Sequence, residues 1–141
     1  MKITFISTSS SMDKGPEKIA KYLEKQNHKA EIIFYNEKES KQVFDKCKNT
    51  GLIVVSANVS TYKKAQKLIE YLKRLQKPIV YAGIYAALYP EKAIEKTDLV
   101  VTKNPKETIL ELANRLENFQ RISDVNNLWF KVAKEKIMKN E

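Results

Sequence analysis

Four consecutive apolar residues, Leu52-Ile53-Val54-Val55, stand between Gly51 and a run of small residues, Ser56-Ala57-Asn58-Val59-Ser60-Thr61. The apolar run is too short for an ordinary helix. Its unbroken, β-branched character suits a strand buried on both faces, as in a parallel sheet. The small residues after it read as a strand-to-helix turn that exposes hydroxyls, an amide and backbone but little bulk. In open α/β sheets the turns at the carboxyl ends of the strands line the ligand crevice. A large, flat ligand has room over this one.

The remaining segments alternate around that strand. Lys2 to Ile6 is expected as the first strand, and Ser7 to Gly15 as a loop. Pro16 suits the first position of a helix reaching about Lys25. Ala30 to Tyr35 is the second expected strand, followed by a short helix from Ser40 to Lys46. After the organising strand, Ser60 or Thr61 is expected to cap a helix whose stripe is Ala65, Leu68, Ile69, Leu72 and Leu75. Pro78 to Ala82 is the fourth strand, Gly83 to Tyr89 a loop, and Pro90 to about Lys96 a short helix. Leu99 to Thr102 is the fifth strand. Asn104 and Glu107 have capping-box spacing at the start of the last clear helix. Five strands alternating with helices predict a flavodoxin-like (Rossmann-like) doubly wound α/β fold with a five-stranded parallel sheet in the order 2-1-3-4-5. The crevice is then lined by residues 7–11, 56–61, 83–88 and 103–105. Residues 1–118 form the α/β domain; 119–141 form a C-terminal extension in which neither the helical nor the strand period wins.

Composition narrows the function. At 141 residues the chain suits one α/β domain, and 43% hydrophobic with 30% charged residues is ordinary for a soluble protein. No stretch is apolar enough to span a membrane. Thr4 and the nearby serines interrupt the initial apolar run, which favours a buried strand over a signal peptide and a cytoplasmic location. The net charge is +9, but the lysines are interleaved with glutamates, and Arg is confined to Arg74, Arg115 and Arg121. Specific base readout leans on Arg, so we expect no specific nucleic-acid partner. The single Cys47 gives neither a disulfide nor a thiolate cluster.

The single His28 falls in the turn before the second strand, at the amino ends of the strands. It is expected to be an ordinary turn residue rather than a ligand or catalyst, so no Ser/His/Asp or Cys/His set converges. Gly83 is equally a plain turn and a point of close ligand approach. The serines after the first strand suit a solvated loop or a phosphate-holding one. Tyr85 and Tyr89 are expected to pack. There is no GxGxxG and no GxxxxGK[ST].

Together these stretches resemble the B12-binding (cobalamin-binding) domain of cobalamin-dependent radical-SAM enzymes. The likeness covers nearly the whole chain. It lies in SANVSTYKKAQKLIEYLKRL (56–75), in AGIYAALYPE (82–91) where the family carries GGxHATLxPE, in KNPKE (103–107) where it carries a GEGE-like turn, and in ISDVNNLWFK (122–131). Ala82 stands for the first Gly of the GGxH turn and Tyr85 for its His. The DxHxxG motif is absent, and so is the CxxxCxxC iron–sulfur triad. The resemblance implies a cobalt cofactor, cobalamin, seated on the carboxyl edge of the sheet without a protein ligand to the metal. The cofactor-binding residues would be Ser9, Ser10, Ser56, Ala57, Asn58, Val59, Ser60, Gly83, Ile84, Tyr85, Asn104 and Pro105. It also implies a radical-SAM domain following residue 141, or a partner protein, to supply methyltransferase-like chemistry; this chain itself carries no catalytic set. Two alternatives stay open: a flavodoxin-like FMN or nucleotide binder, and a degenerate interaction scaffold that binds nothing.

Overall fold

A computed structural model describes residues 1–9, 14–133 and 136–141. Strands β1 (Lys2–Ser7), β2 (Lys29–Phe34), β3 (Leu52–Ser56), β4 (Ile79–Ala82) and β5 (Leu99–Val101) run parallel. β6 (Leu128–Ala133) and β7 (Lys136–Lys139) continue the sheet as antiparallel strands. The spatial order is β2-β1-β3-β4-β5-β6-β7. The expected five-stranded sheet is therefore corrected to seven strands. The two added strands come from the C-terminal extension, which pairs Trp129 opposite Val100 and closes what would otherwise be an open edge at β5.

The helices form two layers. α1 (Gly15–Lys25) and α6 (Pro105–Glu117) cover one face; α2 (Ser40–Cys47), α3 (Tyr62–Leu72), α4 (Gly83–Leu88) and α5 (Pro90–Ala93) cover the other. β3 shows why both layers are needed. Leu52 and Val54 join the core under α1 and α6, Ile53 and Val55 the core under α2 and α3, and all four are 0% exposed. Burial of each such side chain contributes roughly 1.5–3 kcal/mol, so β3 anchors both layers.

Three local expectations are corrected. Residues 83–88 form α4 rather than a loop. Gly83, at φ 93°, turns the chain sharply after β4, and Ala86, Ala87 and Leu88 are strong helix formers. Thr61 precedes α3 but its side chain does not cap it, because that hydroxyl bonds Asn58 instead. Asn104 likewise makes no side-chain cap to α6. A capping side chain needs an extended backbone at that position, and Asn104 is left-handed at φ 47°. Glu107 faces Lys106 at 3.9 Å, while the Thr108 hydroxyl donates to the Lys103 carbonyl at 3.1 Å.

His28 lies at the amino end of the sheet, as expected, but it is more than a turn residue. It is 4% exposed, with Nε2 2.7 Å from Asn114 Oδ1 on α6 and Nδ1 3.0 Å from the Met1 amino group. The same amino group pairs with Glu117, which holds that carboxyl below its usual range. The cluster ties β1, the α1–β2 turn and α6 together. Replacing His28 with Ala leaves the Asn114 amide without its buried partner and should cost about 1–3 kcal/mol in urea unfolding; an unchanged midpoint and slope would deny the clasp.

Gly83 is held by a second constraint. A Cβ there would lie 2.5 Å from Ser56 Oγ and 2.7 Å from the Ala57 carbonyl oxygen, on a left-handed backbone. Gly83→Ala should therefore destabilise the chain by about 1–3 kcal/mol. Thermal unfolding that matched the parent would show that β3 and β4 can part at no cost.

Candidate functional site

The strand alternation that buries β3 also decides what faces outward at its end. Leu52 and Val54 point toward α1 and α6, so Ser56, two residues on, points the same way. In register beside it lie Ser7 of β1 and Ala82 of β4. Val101 of β5 takes the same face. Phe5 lies one step deeper. Phe5, Ser56, Ala82 and Val101 floor a cleft of about 570 Å³ at the carboxyl edge of the sheet. Pro16 and Ile19 of α1 form one wall and Pro105 of α6 contributes to another, while Ile84 and Ala87 of α4 stand at the mouth. The volume is within the range of small-molecule sites, roughly 300–1,000 Å³.

Hydrogen bonds fix the loops around this cleft. The Thr8 hydroxyl sits 2.9 Å from the Ser56 carbonyl oxygen and 3.0 Å from Thr61 Oγ1, sharing its one proton between them. Thr61 donates in turn to Asn58 Oδ1 at 3.0 Å. Asn58 Oδ1 also accepts from the Ser60 amide at 2.9 Å and the Ser60 hydroxyl at 2.8 Å. Ser9 Oγ lies 2.8 Å from Ser7 Oγ. The polar groups of both turns are thus largely committed to one another, which pre-sets the loop shape. The Ser56 hydroxyl and the Asn58 Nδ2 amine, both on residues lining the cleft, have no hydrogen-bond partner among the described residues.

Of the residues expected at the site, Ser9, Ser56, Ala57, Asn58, Gly83, Ile84, Asn104 and Pro105 line the cleft. Ala57 does so although it is only 2% exposed and its side chain belongs to the core on the other face. Val59 and Ser60 are exposed outside the cleft. Tyr85 is buried on the opposite face, stacked on Tyr62 with ring centroids 4.4 Å apart. It is displaced from the cleft because α4 is a helix, which turns consecutive side chains to different sides. Ser10 lies outside the described residues. Sequence reasoning missed the floor and the α1 wall: Phe5, Ile19, Ala82 and Val101. The available signal was the two-residue alternation, since Phe5 and Val101 share the inward face of their strands with other core residues.

Among the described residues the lining offers hydroxyls, amides, backbone and Lys103, but no carboxylate, imidazole or thiol. Cys47 is buried elsewhere, and burial pushes its thiol up to about 11, which keeps it protonated and unreactive at neutral pH. Among the described residues no group of three His, Cys, Asp or Glu side chains is placed to hold a metal ion. None of their helices is long and apolar enough to cross a membrane. The arrangement suits binding and orientation.

No family profile and no curated protein sequence matches the chain. Solved structures do. The cobalamin-dependent S-adenosylmethionine radical enzyme OxsB, with aqua-cobalamin and S-adenosylmethionine bound, superposes with a TM-score of 0.81 at 16% identity over 99% of this chain. The radical S-adenosylmethionine methyltransferase TsrM from Kitasatospora setae gives 0.85 at 13% identity with tryptophan and a SAM analogue bound. It gives 0.81 at 14% identity with cobalamin and a [4Fe-4S] cluster bound. This chain spans only 22% of OxsB and 29–30% of TsrM. At these identities the likeness is one of fold: a mixed, mostly parallel α/β sheet shared with part of much longer cobalamin-dependent radical-SAM enzymes.

Proposed function

We propose that this chain is a cobalamin-binding domain that works with a radical-SAM domain, either in the same polypeptide or as a partner. The observation that carries the reading is the cleft at the carboxyl edge: an apolar floor, uncommitted polar groups at the Ser56 hydroxyl and the Asn58 Nδ2 amine, and loops held by their own hydrogen bonds. The likeness in fold to cobalamin-dependent enzymes supports it. The residues suit the cofactor in three ways. Phe5, Ile19, Ala82 and Val101 accept an apolar appendage, and the Ser56 hydroxyl bonds a polar atom of it. α1 and α6 both begin at the cleft, so their amino ends favour an anionic group such as a phosphodiester. The α4 residues Ile84 and Ala87 give the macrocycle an apolar ledge.

When bound, cobalamin would supply the group-transfer chemistry of its cobalt. The chain's own residues bind and orient. His28 is held at the far end of the sheet by Asn114 and Met1, so it would not ligate the metal. With a single cysteine, the chain would rely on another domain for an iron–sulfur cluster. That domain would follow the 119–141 extension, or a separate partner would provide it. FMN has no support from the matching structures and stays as a comparison ligand; an interaction scaffold is the reading that takes over if neither ligand binds.

The test is a titration of purified protein with hydroxocobalamin, and separately with FMN, followed by absorption. Ala57 is a poor place to add bulk because it is buried; Ile84 is 60% exposed and Ala87 is exposed, so both tolerate it. Folded Ile84→Trp and Ala87→Trp proteins should lose about tenfold or more in hydroxocobalamin affinity. Ser60→Trp, outside the cleft, should stay within about twofold of the parent. Binding of all three variants at parental strength would place the ligand elsewhere, and a parent that binds neither cofactor would remove the proposal.

A further inference from the structure

We propose that the face formed by α2 and α3 docks an acidic segment of a partner protein, which sets an apolar side chain into the groove between these helices and carboxylates over Lys64 and Lys67. The inference stands apart from the cobalamin reading. The groove shares no residue with the cleft, and α2 and α3 cover the opposite face of the sheet from α1 and α6.

Charge is the first observation. Residues 36–77, which supply both helices, carry ten Lys and Arg against four Asp and Glu, a net of +6 out of the chain's +9. On the other face α6 carries Lys106 and Arg115 against Glu107, Glu111 and Glu117. Part of the excess is neutralised in place: Lys46, Lys48 and Lys73 pair with Glu31, Asp45 and Glu70. Lys41, Lys63, Lys64 and Lys67 have no ion pair among the described residues. Such a patch attracts acidic partners and steers their approach.

The second observation is a built groove under that charge. Lys64, Lys67, Tyr71 and Arg74 recur at helical spacing along one stripe. The first three, with Tyr35 and the buried Leu68, line a groove of about 340 Å³, room for one large apolar side chain. Its far wall is fixed. The Tyr35 hydroxyl lies 2.6 Å from Ser40 Oγ, which donates to the Glu37 carbonyl at 2.9 Å. Tyr71 is held against Phe44, with ring centroids 4.9 Å apart, and Arg74 lies over its ring at 5.8 Å. Two other occupants fit less well. A second copy meeting this face through a two-fold axis would set the same positive patch against itself. A nucleic acid would find a single Arg here, and the rings of Tyr71 and Phe44 already packed against each other and under Arg74 and Lys48.

The test is fluorescence anisotropy at roughly 0.15 M salt with three labelled probes. They are an acidic nonapeptide of Asp and Glu with a central Phe, the same peptide with a central Ala, and a thymidine oligonucleotide of equal charge. The Phe peptide should bind the parent about fivefold tighter than the Ala peptide, and tighter than the oligonucleotide. Folded Lys64→Glu/Lys67→Glu protein should lose about tenfold in affinity for the Phe peptide, and Lys64→Gln/Lys67→Gln about threefold. Lys18→Glu/Lys25→Glu, an equal charge change on α1, should stay within about threefold of the parent. Equal losses in the two charge-reversed proteins would reduce the face to an unspecific lysine coat and overturn the proposal. Equal affinity for the Phe and Ala peptides would overturn the role of the groove. An oligonucleotide that binds tighter than the Phe peptide, and is lost with Lys64 and Lys67, would assign the face to nucleic acid instead. No binding of the Phe peptide would overturn the docking face and leave the cobalamin reading untouched.

Discussion

Everything else in this chain depends on the double burial of β3. Four adjacent residues with no exposure leave no polar side chain anywhere along the strand's middle. Helices must cover both faces, which requires parallel neighbours reached by crossovers. Chemistry is thereby displaced to the strand end, where Ser56 is the first side chain not wholly buried. The cleft is a direct consequence. The row that includes Ser56, Ala82 and Val101 is the last level of the sheet before the chain turns away. Small side chains in that row leave space that Leu or Phe would have filled.

That space would be of little use if the loops around it moved freely. The Thr8–Ser56–Thr61–Asn58 bonds tie the end of β1 to the turn after β3 across the topological switch point. The same residues explain why the expected helix cap is missing. A hydroxyl can serve the helix end or its neighbours, and Thr61 serves Asn58 and Thr8. Gly83 finishes the frame, since only a residue without Cβ brings the end of β4 this close to Ser56 and Ala57. Its role in the fold is thus to let the end of β4 close on the turn after β3.

The parallel strands were legible in the sequence because each is an apolar run between turn signals. So was a cleft at the carboxyl edge, which follows from the strand alternation with helices. The C-terminal strands were not. Leu128 and Phe130 alternate with Trp129 and Lys131, but Trp129 is apolar enough to blur the two-residue period. What makes the segment a strand is tertiary: the edge of β5 is waiting for it, with Leu99 opposite Phe130. The loop reading of residues 83–88 failed for a different reason. Gly83 signals a turn, yet a single left-handed glycine is enough to make the turn, and the alanines after it start a helix at once. Placing Tyr85 in the cleft inherited that error.

The position of Tyr85 also bears on how the departures from the cobalamin-binding pattern should be weighed. Where the family carries His in its GGxH turn, this chain carries a tyrosine whose ring is stacked between Tyr62 and, at 5.9 Å, Tyr81, on the face away from the cleft. A His-to-Tyr change on that face removes nothing from the cleft lining; it enlarges an aromatic layer under α3. Ala82, in place of the first Gly, adds one methyl group to the floor and so makes it more apolar without closing it. The change from an acidic turn to Lys103-Asn104-Pro105-Lys106 is different in kind. It lies at the mouth, where Lys103 is exposed beside the amino end of α6, and it reverses the sign of the rim. Positive charge and a helix amino terminus act in the same direction on an approaching ligand, favouring an anionic arm. The departures that look most damaging in the sequence therefore fall behind the cleft or on its floor, and under the cobalamin-binding function proposed above the one at its mouth would suit a ligand that carries phosphate.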